Sequence, residues 1–74
     1  MDLNTVLVNK EYIISQVQTG DPELDDFLFS LGCYTGEPIT VISRRRSSCT
    51  VAIKDGRYHM DHNLARAIRV EASA

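Results

Sequence analysis

The chain has 74 residues, enough for one domain with one small core, since a separate domain needs at least ~50 residues. Hydrophobic residues make up 43% and charged residues 24%, an ordinary globular balance that argues against disorder. The formal net charge of −2 argues against a broad basic face and hence against nucleic acid as a partner, leaving only a local basic patch to consider.

Met1–Asn9 shows no hydrophobic period and is expected to be a loose arm; with Asp2 and no basic residue ahead of its apolar positions, Met1–Val8 is not read as a signal peptide. Glu11–Val17, EYIISQV, is rich in β-branched and aromatic residues and stops at Thr19-Gly20-Asp21, which predicts a strand with Tyr12 and Ile14 on one face and Ile13 and Val17 on the other. A helix follows. Asp21 is its N-cap, able to accept from an orphan backbone N–H, and Pro22 fits the first helical position, where a missing N–H is no loss. Glu23, Asp25 and Asp26 lie at the positive end of the helix dipole. Leu24, Phe27, Leu28 and Leu31 fall at i, i+3, i+4 and i+7, predicting a single apolar stripe, and Gly32 is expected in the left-handed conformation that ends the helix.

Thr35-Gly36 marks a turn, and Glu37–Arg44 reads as a strand with Ile39 and Val41 on one face and Ile42 on the other. After the polar loop Arg44–Ser48, Cys49–Lys54 is a strand with Val51 and Ile53 inward, and Asp55-Gly56 is read as a two-residue type I′ hairpin turn. Arg57–Met60 pairs back with Tyr58 and Met60 on the buried side, Asp61 caps a helical turn at His62–Ala67, Ile68–Val70 is a last short strand, and Glu71–Ala74 is expected to fray. Five short strands, a helix inserted after the first and a short helical turn before the last predict a mainly-β fold, a small partly open barrel. It is read as one domain over residues 1–74 with a core over roughly residues 10–70. No apolar run approaches the ~20 residues a membrane helix needs, so no direct membrane insertion is expected. Two cysteines, Cys33 and Cys49, are too few to staple a secreted scaffold and fit free thiols in a reduced, cytoplasmic setting.

The helix end, Leu31-Gly32-Cys33-Tyr34, is a candidate partner contact, because a Gly-ended helix exposes carbonyls and lets an aromatic lie on the surface. Against this, cysteine and tyrosine serve equally well to cover a barrel end. Arg44, Arg45 and Arg46 form the single basic cluster, suited to an acidic partner surface, anionic lipid or phosphate, or simply to a solvated loop that deters edge pairing. Asp21, Glu23, Asp25 and Asp26 form a matching acidic patch, although capping and the helix dipole already account for each of them. Cys33, Cys49, His59 and His62 are the soft and borderline ligands, but only the histidines are near each other in sequence and no CxxC is present, so neither a metal site nor a cofactor is expected. Cys49 opposite His59 across the hairpin lacks an activating third group, and no Gly-rich phosphate loop exists, so an enzyme is not expected.

Three passages carry a likeness: Leu28–Ile42, LFSLGCYTGEPITVI; Val51–Met60, VAIKDGRYHM; and Leu64–Val70, LARAIRV. Through them the chain resembles the ferrous-iron transport protein A family, the small FeoA-like domains, over roughly Lys10 to Val70. It departs from the family's usual pattern at Asp25-Asp26, at Cys33, at Thr35 and in the loop Arg44–Ser48. The resemblance implies an SH3-like barrel and an accessory, regulatory, non-catalytic role in ferrous-iron uptake. It implies a partner as well, the membrane ferrous-iron transporter with its cytosolic GTPase domain. Two alternatives stay open beside it: an SH3-like module of a metal-dependent regulator, and a direct transition-metal-binding module.

Overall fold

Alternating apolar residues are what the structure buries: Tyr12 and Ile14, Ile39 and Val41, Cys49, Val51 and Ile53, Met60, then Ile68 and Val70 all turn to one side. The computed structural model describes residues 1–73, and within them the chain forms five strands and two helices. The order is β1 (Glu11–Val17), α1 (Pro22–Ser30), β2 (Pro38–Arg44), β3 (Ser48–Ile53), β4 (Gly56–Asp61), α2 (His62–Arg66) and β5 (Ile68–Ala72). All pairings are antiparallel, in a single sheet ordered β4-β3-β2-β1-β5. The register shifts between Ile14 and Gln16 and again between Val41 and Ser43. Such bulges sharpen twist and bend, curling the sheet around its own apolar side. Among the described residues no ladder joins β4 to β5; α2 packs between them with Ala65 fully buried, so the barrel stays partly open.

Helix α1 starts and stops as its sequence dictates. The Asp21 side chain accepts from the Glu23 N–H at 3.0 Å with Pro22 in the first turn. At the other end Gly32 has φ +96°, its N–H donates to Phe29 O at 3.0 Å, and the Cys33 N–H donates to Leu28 O at 3.0 Å. This pair of bonds is the Schellman closure, which satisfies two of the carbonyls a helix end leaves orphaned. The apolar stripe is narrower than its spacing suggested. Leu28 is fully buried and Leu24 and Leu31 half-buried, but Phe27 is 56% exposed and Phe29 64%. Each phenylalanine is one residue from Leu28, hence about 100° off the buried direction, and a nine-residue helix on a barrel end contacts it along one line only.

Three further expectations are corrected. Ile53 pairs with Gly56, so the hairpin loop is Lys54-Asp55, and the left-handed residue is Lys54 at φ +52°. Gly56 is instead a strand residue over which the Tyr58 ring lies, with Tyr58 Cζ 2.6 Å from where a Cβ would stand. Strand β5 runs on through Ala72, which pairs with Tyr12, where fraying was expected; Ala74 lies outside the described residues. Nor is the N-terminal arm loose: Leu3 and Val6 are core residues. Arg44 donates to Leu3 O at 2.7 Å and Val6 O at 3.0 Å, Asn4 Nδ2 donates to His62 O at 3.0 Å, and the Leu7 N–H donates to the Tyr12 hydroxyl at 3.1 Å.

Candidate functional site

At the end of α1 the left-handed Gly32 turns the chain so sharply that Cys33 drops into the core while Tyr34 comes back to the surface beside Phe29. The two rings lie 4.8 Å apart, tilted by 36°, a geometry favourable to aromatic pairs. The last turn of α1 carries no basic residue, and a cation reaches it from the β3–β4 hairpin. Lys54 crosses directly over Gly32, where a Cβ would meet Lys54 Cδ at 2.9 Å. Its ammonium stands 5.3 Å from the centre of the Tyr34 ring and 3.2 Å from Glu37 Oε2. The Tyr34 phenol first, and Glu37 second, hold the Lys54 pKa above its ordinary value. Lys54, at positive φ in the hairpin loop, thus lays its side chain across the negative end of α1.

Beside this clamp a cleft of about 420 Å³ opens along one flank of α1, lined by Val17, Asp25, Asp26, Phe29, Cys33, Tyr34 and Thr35. Burial pushes the Cys33 thiol up from an ordinary 9.0 to about 11, so this floor behaves as an apolar surface and not as a nucleophile. A second groove on the other flank, about 450 Å³, is bounded by Thr19, Leu24, Asp61, Asn63, Leu64, Arg66 and Ala67. Its polar groups are engaged: Asp61 caps Leu64 N–H at 2.8 Å and Arg66 holds Asn63 Oδ1 at 2.7 Å.

The residues singled out in the sequence fall into two separate places. Leu31, Gly32, Cys33 and Tyr34 gather at the α1 end, with Gly32 and Cys33 buried and Leu31 and Tyr34 half-buried. Arg44, Arg45 and Arg46 sit at the opposite end of the barrel, because β2 runs its full length from Pro38, next to the α1 turn, to Arg44. Arg44 turns inward onto the N-terminal arm, while Arg45 and Arg46 are exposed on the tight turn closed by Arg45 N–H to Ser48 O at 2.8 Å. Cys49 faces the core and pairs with Met60, whereas His59 lies on the outer face with Nδ1 3.2 Å from Thr50 Oγ1, so thiol and imidazole are on opposite sides of the sheet. Among the described residues no three His, Cys, Asp or Glu side chains converge as metal ligands, and no helix is long and apolar enough to cross a membrane.

Sequence reasoning placed Val17, Phe29 and Lys54 at no site and assigned Asp26 to the charge of the helix start. One signal was available: Phe27 and Phe29 are two apart, about 200° around a helix, so a single buried stripe cannot take both. No such signal brings Val17 or Lys54 to the same place.

The fold has known counterparts. The family model described as the FeoA domain matches residues 1–72. No curated protein matches the sequence. Among solved structures, a manganese-dependent transcriptional repressor superposes with a TM-score of 0.87 at 20% identity, over 99% of this chain and 41% of the repressor. A manganese-dependent transcriptional repressor in complex with manganese gives 0.87 at 19% identity, over 97% of this chain and 36% of that one. An iron uptake regulatory protein (FeoA) gives 0.83 at 18% identity, over 95% of this chain and 93% of that one. At such identities the likeness is one of fold, an SH3-like domain; the chain spans about two fifths of the first repressor, 41% of its length.

Proposed function

The chain belongs to the FeoA domain family, and from that premise we propose that it is a non-catalytic accessory protein of ferrous-iron uptake. In this reading it acts in the cytoplasm by docking on the cytosolic GTP-binding region of a membrane ferrous-iron transporter. The observation that carries the reading is the family match over residues 1–72, which includes the N-terminal arm as well as the barrel. The α1 end, Leu31–Tyr34 with Phe29 and Lys54, is the primary contact, since it combines an aromatic pair with a preformed, capped turn. Arg45 and Arg46, exposed at the far end, provide a second contact with acidic groups. A rigid barrel that binds one conformation of its partner better than another shifts the partner's populations, which is all that regulation requires.

The test is co-purification of the protein with the transporter's cytosolic region, together with iron uptake in a deletion strain. Complex formation and altered uptake are expected. No contact at high micromolar protein, with uptake unaffected by the deletion, would overturn the reading.

A second reading, an SH3-like module of a metal-dependent regulator, is favoured by the TM-score of 0.87 to the manganese-dependent repressor. Titration calorimetry with Mn(II) and Fe(II) under reducing conditions tests direct metal binding, for which stoichiometric heats are the signature; the docking reading expects none.

A further inference from the structure

The cleft of about 420 Å³ beside α1 combines three surfaces: an apolar floor from Val17 and Cys33, an aromatic wall from Phe29 and Tyr34, and a carboxylate rim from Asp25 and Asp26. The two carboxylates differ in their commitments. Asp25 accepts from both the backbone N–H (3.0 Å) and the hydroxyl (2.7 Å) of Thr19, tying the helix start to the end of β1. Asp26 is exposed and, among the described residues, accepts no hydrogen bond and forms no ion pair. Lys54, the cation that does reach this end of the barrel, is already held by Glu37 and lies on Tyr34. No cationic side chain lines the cleft among the described residues.

We propose that this cleft is the receptor for an arginine side chain carried by a partner protein. The inference rests on the docking reading above and adds the chemistry of its anchor. The aliphatic stem of an arginine matches the Val17–Cys33 floor, while its guanidinium faces the unpaired Asp26 carboxylate with a plane that stacks on the Phe29 ring. Lysine fits less well, since a compact, strongly hydrated ammonium neither stacks nor binds a carboxylate in two places. At about 420 Å³ the cleft is near the lower end of the ~300–1,000 Å³ range of ligand sites, suited to one long side chain with its flanking residues. Anionic ligands are disfavoured by the two carboxylates. Arg45 and Arg46 of a second copy are the competing occupants, since they are exposed at the other end of the barrel.

The experiment is an NMR titration of the ¹⁵N-labelled protein with a capped pentapeptide, Gly-Leu-Arg-Leu-Gly, and with the same peptide carrying citrulline, which keeps the shape and loses the charge. Amide shifts confined to Val17, Asp26, Phe29 and Tyr34 are expected with the arginine peptide, and binding about tenfold weaker with citrulline. Asp26→Asn and Phe29→Ser alter exposed positions, so both variants are expected to keep the wild-type amide spectrum elsewhere while each weakens the peptide by about fivefold. Equal binding of the citrulline peptide, shifts centred elsewhere, no shift at millimolar peptide, or self-association abolished by Arg45→Ser or Arg46→Ser would overturn the proposal. The transporter's cytosolic region separates it from the docking reading. Docking that persists unchanged in Asp26→Asn and Phe29→Ser sinks the arginine receptor alone, whereas peptide binding without docking sinks the transporter reading alone.

Discussion

Replacing Gly32 by alanine tests the helix end on which the candidate site is built. Gly32 has φ +96°, and an L-alanine there enters a left-handed region that opposes it by about 1–2 kcal/mol. Its Cβ would also stand 2.9 Å from Lys54 Cδ and 3.4 Å from Ile53 Cγ2. The Ile53 contact is tolerable and the lysine chain is flexible, so Lys54 moves aside, losing its place over Tyr34 and against Glu37 without a large further penalty. For a domain of this size a loss of about 1–2 kcal/mol lowers Tm by roughly 4–16 °C. The control is D-alanine at the same position, reachable by chemical ligation at the Gly32–Cys33 junction. D-alanine accepts positive φ, so its stability is expected to match or exceed that of the wild type, by about 0.4–1 kcal/mol, through a stiffer unfolded chain. Thermal melts followed by far-UV circular dichroism read both variants. An L-alanine variant that melts with the wild type, or a D-alanine variant as unstable as the L form, refutes the left-handed closure.

Leu28→Ala removes the one fully buried side chain of α1 and is expected to lose about 2–5 kcal/mol in urea unfolding, enough to abolish a cooperative melt in so small a domain. Phe27→Asp, by contrast, alters a side chain that is 56% exposed, and its midpoint is expected to stay within about 0.5 kcal/mol of wild type; outright unfolding would show that α1 is rotated relative to this description. Arg44→Ala strands the carbonyls of Leu3 and Val6, at about 1–3 kcal/mol, and hydrogen exchange is expected to speed at Asn9 and Val70, whose N–H groups bond Val41 O and Met1 O. Unchanged exchange at both amides would deny Arg44 its hold on the arm. The Cys33 thiol, raised from 9.0 to about 11, keeps its proton in the folded state where the unfolded chain has lost it, so folding stability is complete below about pH 9 and declines toward about pH 11. Urea midpoints at about pH 8 and about pH 10 check this, with Cys33→Ala expected to flatten part of the slope; identical slopes in the two proteins would mean the thiol is not buried.

The likeness to the iron uptake regulatory protein extends over 95% of this chain and 93% of that one, whereas the repressors share it through well under half of their length. One fold thus serves both as nearly a whole protein and as a part of larger regulators. On that fold this chain carries the acids of α1 next to two exposed phenylalanines, and Lys54 drawn across the helix end.

Local physics was written into the chain. Asp21-Pro22 and Leu31-Gly32-Cys33 set the ends of α1, because capping and left-handed closure involve neighbours only a few residues apart. Alternation likewise sorted the residues of each strand onto two faces, Tyr12 with Ile14, Ile39 with Val41 and Val51 with Ile53, since a period of two is a property of the extended backbone itself; which face of the first two is the more deeply buried came from the fold. The resemblance at Leu28–Ile42 carried the SH3-like topology that alternation cannot distinguish. What tertiary structure alone decided involves partners far apart along the chain. Arg44 pins residues 41 and 38 positions away, turning an aperiodic arm into core, and Asn4 reaches 58 positions to His62. Lys54 crosses Gly32, and Val17, Asp26 and Tyr34 meet in one cleft, only because the sheet curls and brings the hairpin and the end of β1 to the helix. Such meetings follow from closure of the whole barrel, and no local period or propensity encodes them.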